Sequence, residues 1–456
     1  MKESCGIFGI YSPDDEVART IFFALFALQH RGQESSGIAS TNGKKIYIHT
    51  GMGLVPQVFD ERSLQSLPGH IGIGHNRYST TGASRKENAQ PVVVGNISLG
   101  HNGNIINAST LREELKQRGH DFSTSTDSEV IAALVSSSKG ATLAEKIGNA
   151  MGRLKGAYSL VILTPDCLIG VRDPLGVRPL CLGKVDHGFV IASESCALDH
   201  IGASFWREVD PGEIVMINEN GLNSFRPLEL KREAICVFEY IYFARPDSVI
   251  GGRLLYDVRE RMGRRLTHEY PVKADMVIGI PDSATVAGVG YSEESGIPLS
   301  LGLVKNRYVG RTFIEPDQRI RDLGVKLKFN PLPHLLRGKK VVVVDDSIVR
   351  GTTTPHVVSL LRQAGAKEIH LRISSPPIRY PCFFGVDMAT QWELIASQKE
   401  VADICSLVGA DSLGYLSLPG LIESVGLPSS DLCLACLTGE YPIPVQLPLH
   451  KLALSS

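Results

Sequence analysis

The run Val341–Thr354, VVVVDDSIVRGTTT, constrains this chain more than any other stretch. Four consecutive valines leave no polar face, so both sides of the strand must be buried, as in a parallel sheet covered by helices. Asp345, Asp346 and Ser347 break that run. After Ile348, Val349, Arg350, Gly351 and three threonines comes Pro355, and an apolar-periodic run (Val357, Val358, Leu360, Leu361) stops at Gly365. The spacing predicts a helix with Thr354 as its N-cap and Pro355 at its first position. A loop between a buried strand and a helix N-terminus offers converging backbone N–H groups and a favourable dipole, which suits a phosphate. Paired acids beside it suit sugar hydroxyls, directly or through a hard cation such as magnesium. An ordinary acidic turn would account for a bare Asp-Asp pair. Strand, diacid, Gly-Thr-Thr and capped helix in one run point to a phosphate site. The triphosphate-binding loop is excluded, because a lysine must follow its last glycine and Thr352 stands there.

The run resembles the 5-phosphoribosyl-1-pyrophosphate (PRPP) signature of the type I phosphoribosyltransferases. The resemblance implies that Asp345 and Asp346 hold the ribose hydroxyls and that Ser347, Ile348, Val349, Arg350, Gly351, Thr352 and Thr353 wrap the 5-phosphate. Upstream, Met276–Ile280 reads as a second buried strand followed by Pro281, Asp282 and Ser283; downstream, Glu368–Ile373 returns as a strand. That is the β-α-β crossover of a doubly wound sheet. In the resemblance Ser283 joins Asp345 and Asp346 around Mg²⁺. From Lys305 to Lys328 the chain carries Lys305, Arg307, Arg311, Arg319, Arg321, Lys326 and Lys328 against Glu315, Asp317 and Asp322. Such a cation excess beside a diphosphate site reads as a lid over Lys305–Asn330, with Lys305 and Lys326 binding PRPP. The plain alternative is a solvated charged loop.

The N-terminal half opens with Cys5 at the head of an apolar run, CGIFGIY. Four segments follow: LQHRGQESS (Leu28–Ser36), GHNRYSTTG (Gly74–Gly82), HNGN (His101–Asn104) and TDSE (Thr126–Glu129). In this order they resemble the class II, N-terminal-nucleophile (Ntn) glutamine amidotransferases, which implies an αββα sandwich. Hydrolysing a carboxamide needs a nucleophile, a base, an oxyanion site and a grip on the substrate. If Met1–Ser4 are removed as a propeptide, the α-amino group of Cys5 can take the thiol proton, and no histidine is required. The resemblance assigns the oxyanion site to Asn102 and Gly103, the substrate carboxylate to Arg77 and its ammonium to Asp127, with Arg31 buttressing the pocket. His30, His75 and His101 read as structural hydrogen-bonders, since their spacing matches no metal motif. Strand-like segments continue through Ala157–Leu163 and Phe189–Ser193, Trp206–Met216 closes this half, and the polar stretch Asn218–Glu233 marks the boundary. The domains are expected at 5–232 and 233–456.

A chain of 456 residues suits two domains, and 43% apolar with 21% charged residues is the composition of a globular protein. A net charge of -1 gives no general attraction for nucleic acid or membrane. No apolar run is long enough to span a bilayer, and the start lacks a signal-peptide core, so the expected location is the cytoplasm. Nine cysteines without a secretion signal argue for thiols, catalysis or metal over disulfides. Cys433 and Cys436 form a Cys-x-x-Cys pair that, with Cys236 and Cys382, makes four ligands for zinc or for a [4Fe-4S] cluster. Cys167, Cys181, Cys196 and Cys405 read as core residues.

Taken together the two halves resemble the iron–sulfur subgroup of the amidophosphoribosyltransferases over nearly the whole chain. The resemblance implies the cluster, Mg²⁺, glutamine and PRPP as substrates, ammonia passed between the sites by a dry route, purine nucleotides as feedback inhibitors and a homo-oligomer. Two competitors have their own signatures. A hexosamine-forming synthase would share the first half but needs a sugar-isomerase second half, and a non-catalytic PRPP sensor would have no use for Cys5, Arg77, Asn102 and Asp127.

Overall fold

The alternation within the first strand, Gly6–Tyr11, sets out the layers of the N-terminal half. Phe8 and Ile10 face outward against Ile21, Leu25 and Leu28 of a helical segment, while Ile7 and Tyr11 face a second sheet. The computed structural model describes residues 5–78, 84–228, 232–306, 328–388 and 390–445. Gly6–Tyr11 lies inside a seven-stranded antiparallel sheet, between Gly188–Ala192 and Ile71–Arg77. A six-stranded antiparallel sheet stacks on it, with Leu168–Arg172 and Gly156–Leu163 at its middle and Ile97–Ile105 beside the latter. Ile7, Ile73, Val161, Leu168, Leu182 and Val215 form the apolar layer between the sheets. Helices cover both outer faces: Ala18–Ala27 on one, and Ala108–Gln117, Asp127–Ser137 and Leu143–Met151 on the other. This is the αββα order expected from the sequence.

The stretch expected to close this half, Trp206–Met216, divides into two strands, Ser204–Glu208 and Ile214–Asn218. The second pairs with a further strand, Gly221–Phe225, inside the polar stretch taken as the boundary. A tight turn at Glu219-Asn220 explains it, with Gly221 at φ +94°, so the sandwich runs on to Phe225.

In the C-terminal half the strands Met276–Gly279, Lys340–Asp345, Glu368–Ile373 and Ser412–Tyr415 form a parallel sheet in chain order. Val342 and Val344 face the helices Leu255–Glu269 and Thr285–Ser295; Val341 and Val343 face Thr354–Gln363 and Val401–Val408. Both faces of the valine run are buried, as its composition demanded. A parallel pair, Ile235–Cys236 with Leu432–Cys433, joins the segment between the halves to the C-terminal segment. An antiparallel pair, Leu303–Lys305 with Phe329–Pro331, carries the two ends of the expected lid. The body of that lid, with Lys326, lies outside the described residues, as do Met1–Ser4. Among the described residues no helix is long and apolar enough to cross a membrane.

Candidate functional site

Strand register assembles the first site. Gly6 stands opposite Asn76 and Ser35 opposite Arg77, so Cys5, Arg77 and Glu34 meet at one end of three adjacent strands. Cys5 is buried; its Sγ lies 3.4 Å from both the backbone oxygen and the backbone nitrogen of Tyr78. Burial pushes the thiol above its ordinary value, partly offset by the Tyr78 backbone and Arg77, while Asp127 and Glu34 add to the rise. The Arg77 guanidinium pairs with the Glu34 carboxylate. Arg31, wholly buried, donates from Nε to the Cys5 carbonyl at 3.0 Å.

Ile97–Ile105 supplies the HNGN residues. Both side-chain amide atoms of Asn102 are buried without a hydrogen-bond partner among the described residues, a costly state unless a ligand group completes it. Gly103 sits at φ +148°, and a Cβ there would meet the Ala157 carbonyl oxygen at 2.0 Å, so only glycine fits. Thr126 caps the helix Asp127–Ser137, and Asp127 in its first turn accepts from the Ile105 N–H at 3.1 Å. Burial raises the Asp127 carboxyl, but nearby His101 and the backbone bonds outweigh it and hold the group below the usual carboxylate range. His75 donates from Nε2 to the His101 carbonyl at 3.0 Å, and burial drives its pKa down to about 3, so it is neutral. The histidines here are hydrogen-bonding groups, as the spacing indicated.

The second site lies at the C-terminal edge of the parallel sheet. One cavity of about 190 Å³ is lined by Asp345–Thr354 together with Ser283, Lys328 and Tyr242. Asp346 is buried, with its carboxylate accepting from the hydroxyls of Ser283 and Ser347. Burial, and then the adjacent Asp346, raise the Asp345 carboxyl. Among the described residues none of the backbone N–H groups from Ser347 to Thr353 donates to a protein group, so the loop presents unspent donors to the cavity. Gly351 makes the turn at φ +67°, where a Cβ would meet Ile395 at 2.5 Å. The helix begins at Thr354, one residue earlier than its composition suggested; Thr353 occupies the cap position without a side-chain bond, leaving its hydroxyl free for the loop. Lys305 pairs with Asp282, beside Ser283.

Cys236, Cys382, Cys433 and Cys436 line a separate cavity with Val177, Phe238, Phe384, Val386, Met388 and Tyr441. Pairing of Cys236 with Cys433 brings the two chain segments together. All nine cysteines are free thiols; Cys167, Cys181 and Cys196 lie in the core as expected, whereas Cys405, on the outer helix Val401–Val408, is only half-buried. Among the described residues no group of three or more His, Cys, Asp or Glu side chains forms a site for a metal ion. The loop after Cys382 reaches the first site: the Asn104 side chain donates to the Phe383 carbonyl at 2.8 Å. A Cβ on Gly385 would stand 2.9 Å from the Gly103 carbonyl carbon.

Sequence reasoning missed Glu34, Glu194, Arg178, Glu239 and Tyr242. Glu34 lay within a quoted segment; the others pair or converge over long sequence separations, which no local pattern announces.

Known proteins share this arrangement. Residues 75–200 match the glutamine amidotransferase domain family and residues 251–374 the phosphoribosyl transferase domain family. The chain is 51% identical over 454 residues to an amidophosphoribosyltransferase of Synechocystis sp., covering 97% of this chain and 92% of the relative. It is 51% identical over 463 residues to that of Methanocaldococcus jannaschii, covering 97% and 98%. The solved structure of glutamine PRPP amidotransferase from B. subtilis, complexed with ADP and GMP, matches with a TM-score of 0.91 at 46% identity, covering 97% of this chain and 98% of that one.

Proposed function

The chain belongs to the amidophosphoribosyltransferases, and on that premise we propose how its residues divide the reaction between them. The enzyme moves the amide nitrogen of glutamine onto PRPP, giving 5-phosphoribosylamine, glutamate and pyrophosphate, a step of purine biosynthesis. The domains fall at residues 5–232 and 233–456.

Cys5 is the glutaminase nucleophile. A thiol pushed up by burial needs a base at hand, and the α-amino group freed by removal of Met1–Ser4 supplies one without a histidine. The sulfur attacks the carboxamide carbon, and the Asn102 amide and Gly103 N–H receive the oxyanion; the unpartnered state of Asn102 supports this role. Arg77 grips the substrate carboxylate, Asp127 its ammonium, and Arg31 holds the Cys5 carbonyl. Ammonia leaves, and water hydrolyses the thioester. The observation that carries the assignment is the convergence of Arg31, Arg77, Asp127 and Glu34 on one buried cysteine. N-terminal sequencing of glutamine-active protein is expected to start at Cys5; activity in a chain that still begins at Met1 would overturn the amine's role.

In the second half Asp345 and Asp346 bind the ribose hydroxyls, and the loop Ser347–Thr353 wraps the 5-phosphate with its free N–H groups. Ser283, Asp345 and Asp346 offer only oxygen donors, which fit Mg²⁺ bound with a diphosphate. When bound, that ion neutralises charge on the departing pyrophosphate. Lys305 and Lys326 hold the diphosphate from the lid. Ammonia reaches C1 of PRPP by a route closed to water.

The four thiols around one apolar cavity support a [4Fe-4S] cluster, which would bind to Cys236, Cys382, Cys433 and Cys436 and supply a covalent tie between the three segments. Anaerobically purified protein is expected to hold about four iron and four acid-labile sulfide atoms per chain. Zinc without sulfide would replace this reading by a mononuclear site.

The B. subtilis structure holds ADP and GMP, which supports purine nucleotides as feedback inhibitors here. The large apolar side chains Phe23 and Phe26, exposed on one helix, support a homo-oligomer. The cytoplasm is the proposed location, and the net charge of -1 favours small-molecule substrates over nucleic acid or membrane.

A further inference from the structure

Four charged side chains with no solvent exposure, Arg31, Arg178, Glu194 and Glu239, form a continuous network between the halves. Arg31 donates to Glu239 at both carboxylate oxygens, at 2.8 and 3.0 Å, while its Nε holds the Cys5 carbonyl. Arg178 donates to the same Glu239 at 3.1 Å and, from Nε and Nη2, to the Phe384 carbonyl at 3.2 and 2.9 Å. Glu194 accepts from Arg31 on the other side, and also from Ser248, His30 and the Arg245 N–H. Glu239 opens a π-helical turn, Glu239–Phe243, whose Tyr242 lines the PRPP cavity and whose backbone is braced by Arg259 through the Tyr240 and Ala244 carbonyls.

Buried ion pairs are poor stabilisers, because desolvation offsets most of their attraction. What this one does is fix a direction. A trimmed Cys5 is the first residue of its chain, and chain ends fray unless tied down. Its carbonyl is held by a guanidinium whose plane is set by a bidentate carboxylate from the other half. Resting on the reading of Cys5 as nucleophile, we propose that Glu239 is a positioning residue of the glutaminase reaction. It touches neither substrate. It holds Arg31, and through Arg31 the thiol and amine of Cys5, in line with the carboxamide, and it delivers this support from the half that binds PRPP.

The test compares Glu239→Gln with Glu239→Gln/Arg178→Met, which removes one buried charge of each sign and so relieves any imbalance the single variant leaves. If Glu239 positions Cys5, both variants lose glutamine-dependent kcat by about 10²-fold, the cost of a misplacement near 1 Å. The glutamine KM stays unchanged because Arg77 and Asp127 are intact. Alkylation of Cys5 by iodoacetamide slows in both variants, while ammonia-dependent synthesis persists. Recovery of glutamine-dependent kcat in the double variant, or a parallel loss of both syntheses with a lowered Tm, would show that the network serves folding alone. An unchanged kcat in a folded Glu239→Gln protein would overturn the proposal equally. Failure of the underlying reading looks different: Cys5→Ala would then retain glutamine-dependent synthesis.

Discussion

Cys5→Ala is expected to abolish synthesis from glutamine, lowering its kcat on the order of 10⁴-fold or more, while synthesis from ammonia continues at the parent rate. The asymmetry follows from the fold. Cys5 heads an antiparallel strand in one sandwich, and the PRPP cavity lies at the edge of a separate parallel sheet. Removing one sulfur leaves Ser283, Asp345 and Asp346 untouched. Because the buried thiol sits above its ordinary pKa, the proposed mechanism has its deprotonation rest on the α-amine of a trimmed Cys5, which ordinarily titrates at about 7.7–8.0. Glutamate release, measured beside phosphoribosylamine formation from each nitrogen donor, checks the prediction. Equal loss from both donors would mean that Cys5 holds the fold together instead of performing chemistry.

Asp346→Asn is expected to cut both syntheses, by about 10²–10³-fold, the loss typical of one preorganised polar group at a reacting centre. Asparagine keeps the shape, and its amide oxygen can still accept from Ser283 or Ser347, so the fold is retained. What disappears is one negative charge at the point where ribose hydroxyls and Mg²⁺ would converge. PRPP binding followed by calorimetry in the presence of Mg²⁺ should weaken together with turnover. Full activity from ammonia in this variant would remove the diacid from the reaction. The two substitutions thus separate the half-reactions: one silences a single nitrogen source, the other silences the acceptor.

Much of this was legible because the signals were local. The valine run, the diacid and the Gly-Thr-Thr turn occupy fourteen consecutive residues, and each constrains its neighbours through backbone geometry. Cys5, Arg77 and Asp127 stood in short segments in fixed order, and the fold brings their side chains together; the four cysteines far apart in sequence line one cavity. The charge network was not legible. Arg31 and Glu239 are separated by 208 positions, and nothing in periodicity or composition pairs one buried acid with one buried base at that range. Tyr242 was hidden for a related reason: a π-helical turn places it in the cavity, and neither the 3.6 nor the 2.0 period anticipates that. The strand Gly221–Phe225 was obscured by polar side chains suited to a half-exposed edge.

The contact of Gly385 with Gly103 bears on how such a chain could have been assembled from ancestral pieces. Read along the sequence, the halves look like two modules joined by a seam near residue 230. In space, a loop from the far side of that seam closes against the strand that carries Gly103, at a spacing that admits no side chain on Gly385. A recombination event that swapped one half for a cousin would carry across the catalytic residues and leave the wall mismatched. Inheritance of these two halves is therefore coupled at Gly385, a position that bears no chemistry of its own yet must match the strand of the other half.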